Sequence, residues 1–212
     1  MLELTQQKAL IFRITHIDNI PWILDNGLHC RKSPKKDGQF HEIGNQELIG
    51  KRADHPVSIH PGGTLGDYVP FYFTPYSPML LNIKTGYNGV KKTPMADIAI
   101  LVSSLPKLVQ DDVPFVFADR HALLATAIFT SDLKDLSLID WKILQARDFK
   151  RNPNDPAKFE RYQAEAIVYR SIPITSLLGI ACNGDAQVKR LTGEVESRSL
   201  SLTVSARPDW YN

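Results

Sequence analysis

Hydrophobic positions along the chain fall in short runs broken by polar stretches rich in glycine and proline. ALIFRIT at 9–15 places Ile11, Phe12 and Ile14 in a first strand. Ile20, Ile23 and Leu24 then recur at i, i+3, i+4. That spacing predicts a short helix with Pro21 in its first turn, Asp18 or Asn19 as its cap and Asn26-Gly27 as its stop. Further strands are expected at 68–73, which is aromatic and β-prone, at MLLNIK (79–84), at DIAILVS (97–103) and at VPFVFA (113–118). Residues 164–170 and 198–204 complete the set. In the latter, Leu200, Leu202 and Val204 alternate onto one face. A helical turn fits Leu105–Val109, and a few turns fit Asn45–Ile49. A longer helix fits Ala122–Phe129, with the charge of Asp119 near its positive end. The regular strand–helix alternation of a doubly wound parallel sheet is missing.

Two stretches break this pattern. Residues 29–58 carry Arg31, Lys32, Lys35, Lys36, Lys51 and Arg52 against Asp37, Glu42, Glu47 and Asp54. Some 30 residues with little secondary structure in a compact domain point to a functional loop or a disordered one. The second stretch is HPGGTLGDYVPFYFTPYSPML from His60. Pro70 has no amide hydrogen, so its strand lies at an edge, starts there or bulges. Tyr68, Phe71, Tyr72 and Phe73 are either ordinary core or a rigid wall suited to a flat ligand.

Composition narrows the class. Apolar residues make up 43% and charged residues 23% of 212, with a net charge of +2. These values describe an ordinary globular protein, read here as one domain over residues 1–212. They exclude a polyelectrolyte, so contact with nucleic acid requires a local patch. No apolar run approaches the roughly 20 residues that span a bilayer, and the first residues lack a signal-peptide pattern. Cys30 and Cys182 have no metal spacing and read as reduced thiols. Together these features indicate a cytoplasmic protein with no membrane segment and no metal.

Candidate chemistry gathers at element ends. Thr15, His16 and Asn19 follow the first strand, either as cap and turn groups or as ligand contacts. Arg120 and His121 follow the strand at 113–118. Glu165 opens a strand between two small residues, Ala164 and Ala166, which leave room for a ligand. Glu160, after a polar loop and beside Arg161, is the competing carboxylate and reads as a surface group.

FRITHIDNIPWILDNGL, HPGGTLGDYVPFYFTPYSPML, FADRHA, IDW and YQAEAIVY, in that order over about residues 11–170, resemble the DarT family of bacterial DNA ADP-ribosyltransferase toxins. The resemblance implies an α+β ADP-ribosyltransferase fold of two packed, mainly antiparallel sheets flanked by helices. It implies NAD as co-substrate, a base of single-stranded DNA (thymidine in the best-known branch) as acceptor, and a macrodomain antitoxin as partner. The family's glutamate maps onto Glu165. Its arginine maps onto Arg52, with Lys51 adjacent. NAD is then expected against Thr15, His16, Asn19, Gly27, Leu28, Arg52 and Tyr72, its adenine end near the helix and its nicotinamide near Tyr72. DNA is expected against Tyr72, Met79, Arg120 and His121. Where the family's first strand often carries histidine, this chain has Arg13. Two other readings stay open: a non-catalytic module that stacks single-stranded nucleic acid on its aromatics, and an ADP-ribosyltransferase acting on RNA or protein.

Overall fold

The computed structural model describes residues 2–211. From the N-terminus, β1 (Leu10–His16) passes through one 3-10 turn into α1 (Ile20–Asn26) and the two-residue β2 (Leu28–His29). A long loop leads to α2 (Gln46–Ala53), capped by Asn45, whose side chain accepts from the Leu48 amide. Next come β3 (Tyr68–Tyr72), α3 (Pro78–Thr85), β4 (Ile98–Ser104), α4 (Leu105–Gln110), β5 (Phe115–Ala118) and β6 (Phe129–Thr130). The chain ends with α5 (Trp141–Gln145), α6 (Lys158–Arg161), β7 (Glu165–Tyr169), β8 (Ser171–Ile172), β9 (Gly179–Cys182), α7 (Asp185–Glu196) and β10 (Thr203–Ala206).

The expected α+β architecture is present as two sheets of unequal size. Eight strands run in the order β10-β9-β4-β1-β3-β7-β5-β6, and β2 pairs with β8. All pairings are antiparallel except β9 with β10. The large sheet has a seam. β1 pairs with β4 along its whole length, from Leu10↔Ser104 to His16↔Ile98, and β3 pairs with β7 along its whole length. Between β1 and β3 the only register pair is Phe12↔Tyr72. Past it the two strands separate, and Pro70 lies on the separating side. Pro70 sits within the strand order yet has an edge-like neighbourhood. In place of a ladder, the Arg13 Nη1 donates to the Pro70 carbonyl at 3.3 Å. The halves are held together by their faces: Phe12, Ile14, Phe71, Phe73, Ile100 and Phe117 are buried in one core, and Phe73 packs edge-on against Phe117 and Trp141.

Three expectations are corrected. MLLNIK is helix α3, not a strand. The Ser77 side chain accepts from the Leu80 amide, Pro78 occupies the first turn, and Gly86 ends the helix at φ 79°. Leu80 and Ile83 are its buried pair. So short an apolar run fits either period, and the Ser-Pro cap decides it. The segment 122–129 is not a helix: turns lead into β6 at Phe129. Asp119 Oδ1 accepts from the Ile128 amide at 2.9 Å, folding the segment back so that β6 pairs with β5. The last strand starts at Thr203 rather than 198. The helix before it, α7, runs to Glu196 on a Leu191–Val195 stripe, and Ser199 then turns the chain at φ 54°.

Gly27 joins α1 to β2 with φ 78° and ψ 175°, a conformation that is essentially glycine's alone. A Cβ there would lie 2.8 Å from the Ile172 carbonyl oxygen. Gly27→Ala is expected to cost about 1–3 kcal/mol of stability, read as a lower urea midpoint with unchanged slope.

Candidate active site

Where β1 and β3 part, a cleft opens. Its walls are Arg13 and Thr15 on β1, Val69, Pro70 and Tyr72 on β3, and Met79 and Ile83 on α3. The long loop and α2 close one side, and His121 and Glu165 stand at one end.

Glu165 is the first residue of β7, in register with Tyr72 on one neighbour and Ala118 on the other. Tyr162 anchors the approach: it is fully buried, and its hydroxyl donates to the Tyr76 carbonyl at 3.0 Å. The Glu165 carboxylate is buried and accepts three hydrogen bonds. Arg52 donates to both oxygens, Nη1 at 2.9 Å and Nη2 at 2.8 Å, and the Ala122 amide donates to Oε1 at 2.8 Å. Burial alone would raise this carboxyl. The Arg52 charge, the neighbouring His121 and the donated hydrogen bonds outweigh burial and hold it below the ordinary 4.5. Burial likewise works against the charge on Arg52, but the carboxylate reverses the balance and strengthens its hold on the proton.

Around this pair the groups are electrostatically linked. Burial, with the Glu165 charge, pushes the Tyr72 phenol up to about 12. Arg13 has a buried Nε with no hydrogen-bond partner, and burial lowers its affinity for its proton. His121 Nδ1 lies 3.9 Å from Glu165 Oε1 and accepts from the Leu123 amide at 3.2 Å. Burial is the largest influence on His121 and lowers its pKa below 6.5. At neutral pH its ring is uncharged.

The segment after β1 forms the other end. Asn19 is fully buried but does not cap α1. Its amide donates to Thr15 Oγ1 and to the His41 carbonyl, both at 3.0 Å, and its oxygen accepts from the His41 amide at 2.8 Å. Asn19 thereby clamps the long loop to the end of β1, and the His16 ring stacks on His41 at 4.6 Å. His16 supplies the cap of the 3-10 turn. His16, Asp18 and His41 bring possible metal-ligand atoms within 4.8 Å of one another, but Arg190 already holds Asp18 at 2.6 Å.

The structure gathers Thr15, Leu28, Arg52, Tyr72, Met79, His121 and Glu165 at one cleft. His16, Asn19 and Gly27 lie beside it without lining it. Arg120 is directed away: it pairs with Asp119 at 2.8 Å and reaches Glu160 at 3.6 Å. Glu160 is 40% exposed, as its surface reading requires. Two participants escaped the sequence reading, and a third, Arg13, was left without a role. The Ala122 amide is backbone and leaves no residue signature. His41 is one more polar residue in a polar loop. Arg13 meets the cleft only because the sheet splits beside it.

Residues 12–212 match a family model described as DarT, ssDNA thymidine ADP-ribosyltransferase. The chain belongs to the DarT family. A DNA ADP-ribosyl transferase of Escherichia coli O127:H6 is 54% identical over 98% of this chain and 95% of its own. Thermus sp. 2.9 DarT in complex with ADP-ribosylated ssDNA superposes with a TM-score of 0.87 at 32% identity, covering 97% of each chain. The same protein in complex with NAD+ gives a TM-score of 0.80 at 34% identity, over 97% of this chain and 98% of that one. The activity of the family is NAD-dependent transfer of ADP-ribose to thymidine in single-stranded DNA.

The depressed pKa of Glu165 gives its ion pair a pH signature. A carboxylate of this kind stabilises the fold above its unfolded pKa, about 4.5, and that stability is lost as pH falls through its folded value. Arg52→Ala leaves a buried charge uncompensated and is expected to cost about 3–5 kcal/mol at neutral pH. The gap between wild type and variant should narrow as pH drops below about 4.5, measured by urea unfolding at both ends of that range.

Proposed function

We propose that the cleft is where this DarT protein binds NAD and single-stranded DNA, with Glu165 and Arg52 as its catalytic pair. The observation that carries this reading is the bidentate Arg52–Glu165 contact, buried in the cleft beside Tyr72. Breaking the nicotinamide–ribose bond builds oxocarbenium character on the sugar. Glu165 is fixed at a strand start, and its carboxylate remains ionised at neutral pH. It hydrogen-bonds a ribose hydroxyl and stabilises the positive charge. Arg52 keeps its proton and stabilises negative charge, either on the acceptor base or on the NAD phosphates. NAD lies with its nicotinamide near Tyr72 and its adenine end toward Thr15, Asn19 and Leu28. His16 and Gly27 support that end from behind. The base enters past Met79 and His121, while Arg120 orders the turn through Asp119. A base must leave its stack to reach such a cleft, so a single strand is the accessible substrate.

The long loop supplies the local positive patch that a net charge of +2 does not. Arg31 pairs with Glu42, Lys32 with Asp54 and Lys51 with Glu47. Lys35 and Lys36 line the cleft mouth and have no ion-pair partner among the described residues. They contact the DNA backbone. Family membership supports a toxin role, with a macrodomain antitoxin that removes the modification as its partner. No helix among the described residues is long and apolar enough to cross a membrane. Cys30 and Cys182 are buried and free, in keeping with a cytoplasmic setting.

Two outcomes test this reading. With labelled NAD and separate pools of single-stranded DNA, RNA and protein, label should appear on thymidine-containing DNA. Glu165→Gln should lose about 10²–10³ in rate, while Glu160→Ala keeps most activity. Label on RNA or protein instead, or a dead Glu160→Ala with an active Glu165→Gln, contradicts it. In the second test, Lys35→Ala with Lys36→Ala should weaken DNA binding and flatten its salt dependence by about 0.7 in log–log slope per lost phosphate contact. NAD affinity should hold. Equal loss of both ligands would place the two lysines on NAD.

A further inference from the structure

Met79, which lines the cleft, is the second residue of α3, and the far end of the same helix also reaches the cleft rim. Gly86 ends α3 at φ 79°, and the turn Tyr87–Gly89 follows. Asn45 lines the cleft, and its side chain donates to the Asn88 carbonyl at 3.1 Å. The backbone of this turn is held on both sides. The Tyr87 amide donates to Thr85 Oγ1, and the Tyr87 carbonyl accepts from the amide of buried Val90, both at 3.3 Å. Thr85 Oγ1 in turn donates to the Leu81 carbonyl at 2.7 Å.

On this fixed backbone the Tyr87 ring is left bare. It is 66% exposed, and with Leu81, Asn82, Thr85 and Gly86 it lines a surface groove. An exposed aromatic is commonplace by itself. This one differs in its surroundings. Residues 78–95 hold three lysines, Lys84, Lys91 and Lys92, and no acidic residue. Lys84 donates to the Tyr211 carbonyl at 3.1 Å. Lys91 and Lys92 are exposed and have no ion-pair partner among the described residues. Lys92 stands against the groove: its Cβ is 3.5 Å from where a Cβ on Gly86 would lie.

We propose that this turn is a second contact for the single strand, with the Tyr87 ring stacking on a base that flanks the acceptor thymidine and Lys91 and Lys92 meeting its phosphates. The proposal rests on the reading that the acceptor base enters the cleft past Met79. Charge chooses the occupant: a basic, acid-free surface continuous with a cleft that receives a polyanion suits the rest of that polyanion. Every base has a π-face, so the contact extends the footprint without demanding a sequence. A tyrosine ring has two side-chain torsions, and here its backbone is already fixed, so stacking orders little. Met79 and Tyr87 are eight residues apart, about 12 Å at the rise of a helix. That is about three nucleotides of a stacked strand at about 3.4 Å each.

The test is KM and kcat at saturating NAD for two substrates. One is a short strand that ends beside the thymidine, and the other extends about six nucleotides further on each side, enough to pass Tyr87. Tyr87→Ala should raise KM for the long strand by roughly 5–150-fold, with kcat, KM for NAD and KM for the short strand unchanged. Tyr87→Phe should keep the long-strand KM of wild type. Lys91→Ala with Lys92→Ala should flatten the salt dependence for the long strand alone. A 2-aminopurine base, moved through the extensions one position at a time, should be quenched on one side of the thymidine by wild type and Tyr87→Phe but not by Tyr87→Ala. A Tyr87→Ala protein whose long-strand KM stays within about threefold of wild type overturns the proposal. So does an equal loss on both strands, which would make the turn a support of the cleft. Unchanged KM for DNA with lost binding of the purified macrodomain antitoxin would make the surface a protein interface and overturn it as well. Failure of the underlying reading is seen separately, as full transfer by Glu165→Gln.

Discussion

A guanidinium and a carboxylate buried against each other hold this site together. Helix α2 has no fully buried residue, so little hydrophobic force fixes it. Its hold on the molecule is polar: Arg52 on Glu165, the Asn45 side chain on the Asn88 carbonyl, and Thr64 Oγ1 on the Ala53 carbonyl. Burying two charges costs several kcal/mol of desolvation, repaid only when geometry and further hydrogen bonds are good. Here the contact is bidentate and the Ala122 amide adds a third bond. The pair therefore fixes the position of the long loop as well as the ionisation of the carboxylate.

The cleft itself comes from a second constraint, the failure of β1 and β3 to pair beyond Phe12↔Tyr72. Pro70 removes a ladder donor, and the Arg13 guanidinium satisfies the Pro70 carbonyl across the gap. A continuous ladder at this point would close the site. Asn19 plays the matching part at the far end, fastening the loop to the end of β1 through both its amide and its oxygen. Within each half the strands are joined by ladders, β1 with β4 and β3 with β7 along their whole lengths. The loop and α2 rest on them through a small number of specific bonds.

Much of this was legible in the residues, for particular reasons. Glu165 stood out because a charged residue at the mouth of an apolar strand, flanked by two alanines, has few structural excuses. The strands at 10–16, 68–72, 98–104, 115–118 and 165–169 followed from apolar runs long enough to show their period. MLLNIK misled because its run is shorter than the difference between helix and strand periods requires, and the deciding Ser77-Pro78 lay just outside it. Asp119 misled because a carboxylate serves equally as a helix start and as a turn clamp, and only the distant Ile128 amide distinguishes them. His41 and the Ala122 amide were invisible, and the place of Arg13 unreadable, for one shared reason. Their roles depend on where the sheet separates and where the loop lands, and both are set by contacts far apart in sequence.

The most direct measurement is a structure of the Glu165→Gln protein with NAD and a thymidine-bearing single strand, where slowed chemistry lets both substrates occupy the site. The account predicts a hydroxyl of the nicotinamide ribose within about 3 Å of the residue 165 side chain. It also predicts the thymine between Met79 and His121, with Arg52 released in part toward substrate. NAD bound outside the gap between β1 and β3, or a thymine remote from residue 165, would contradict it.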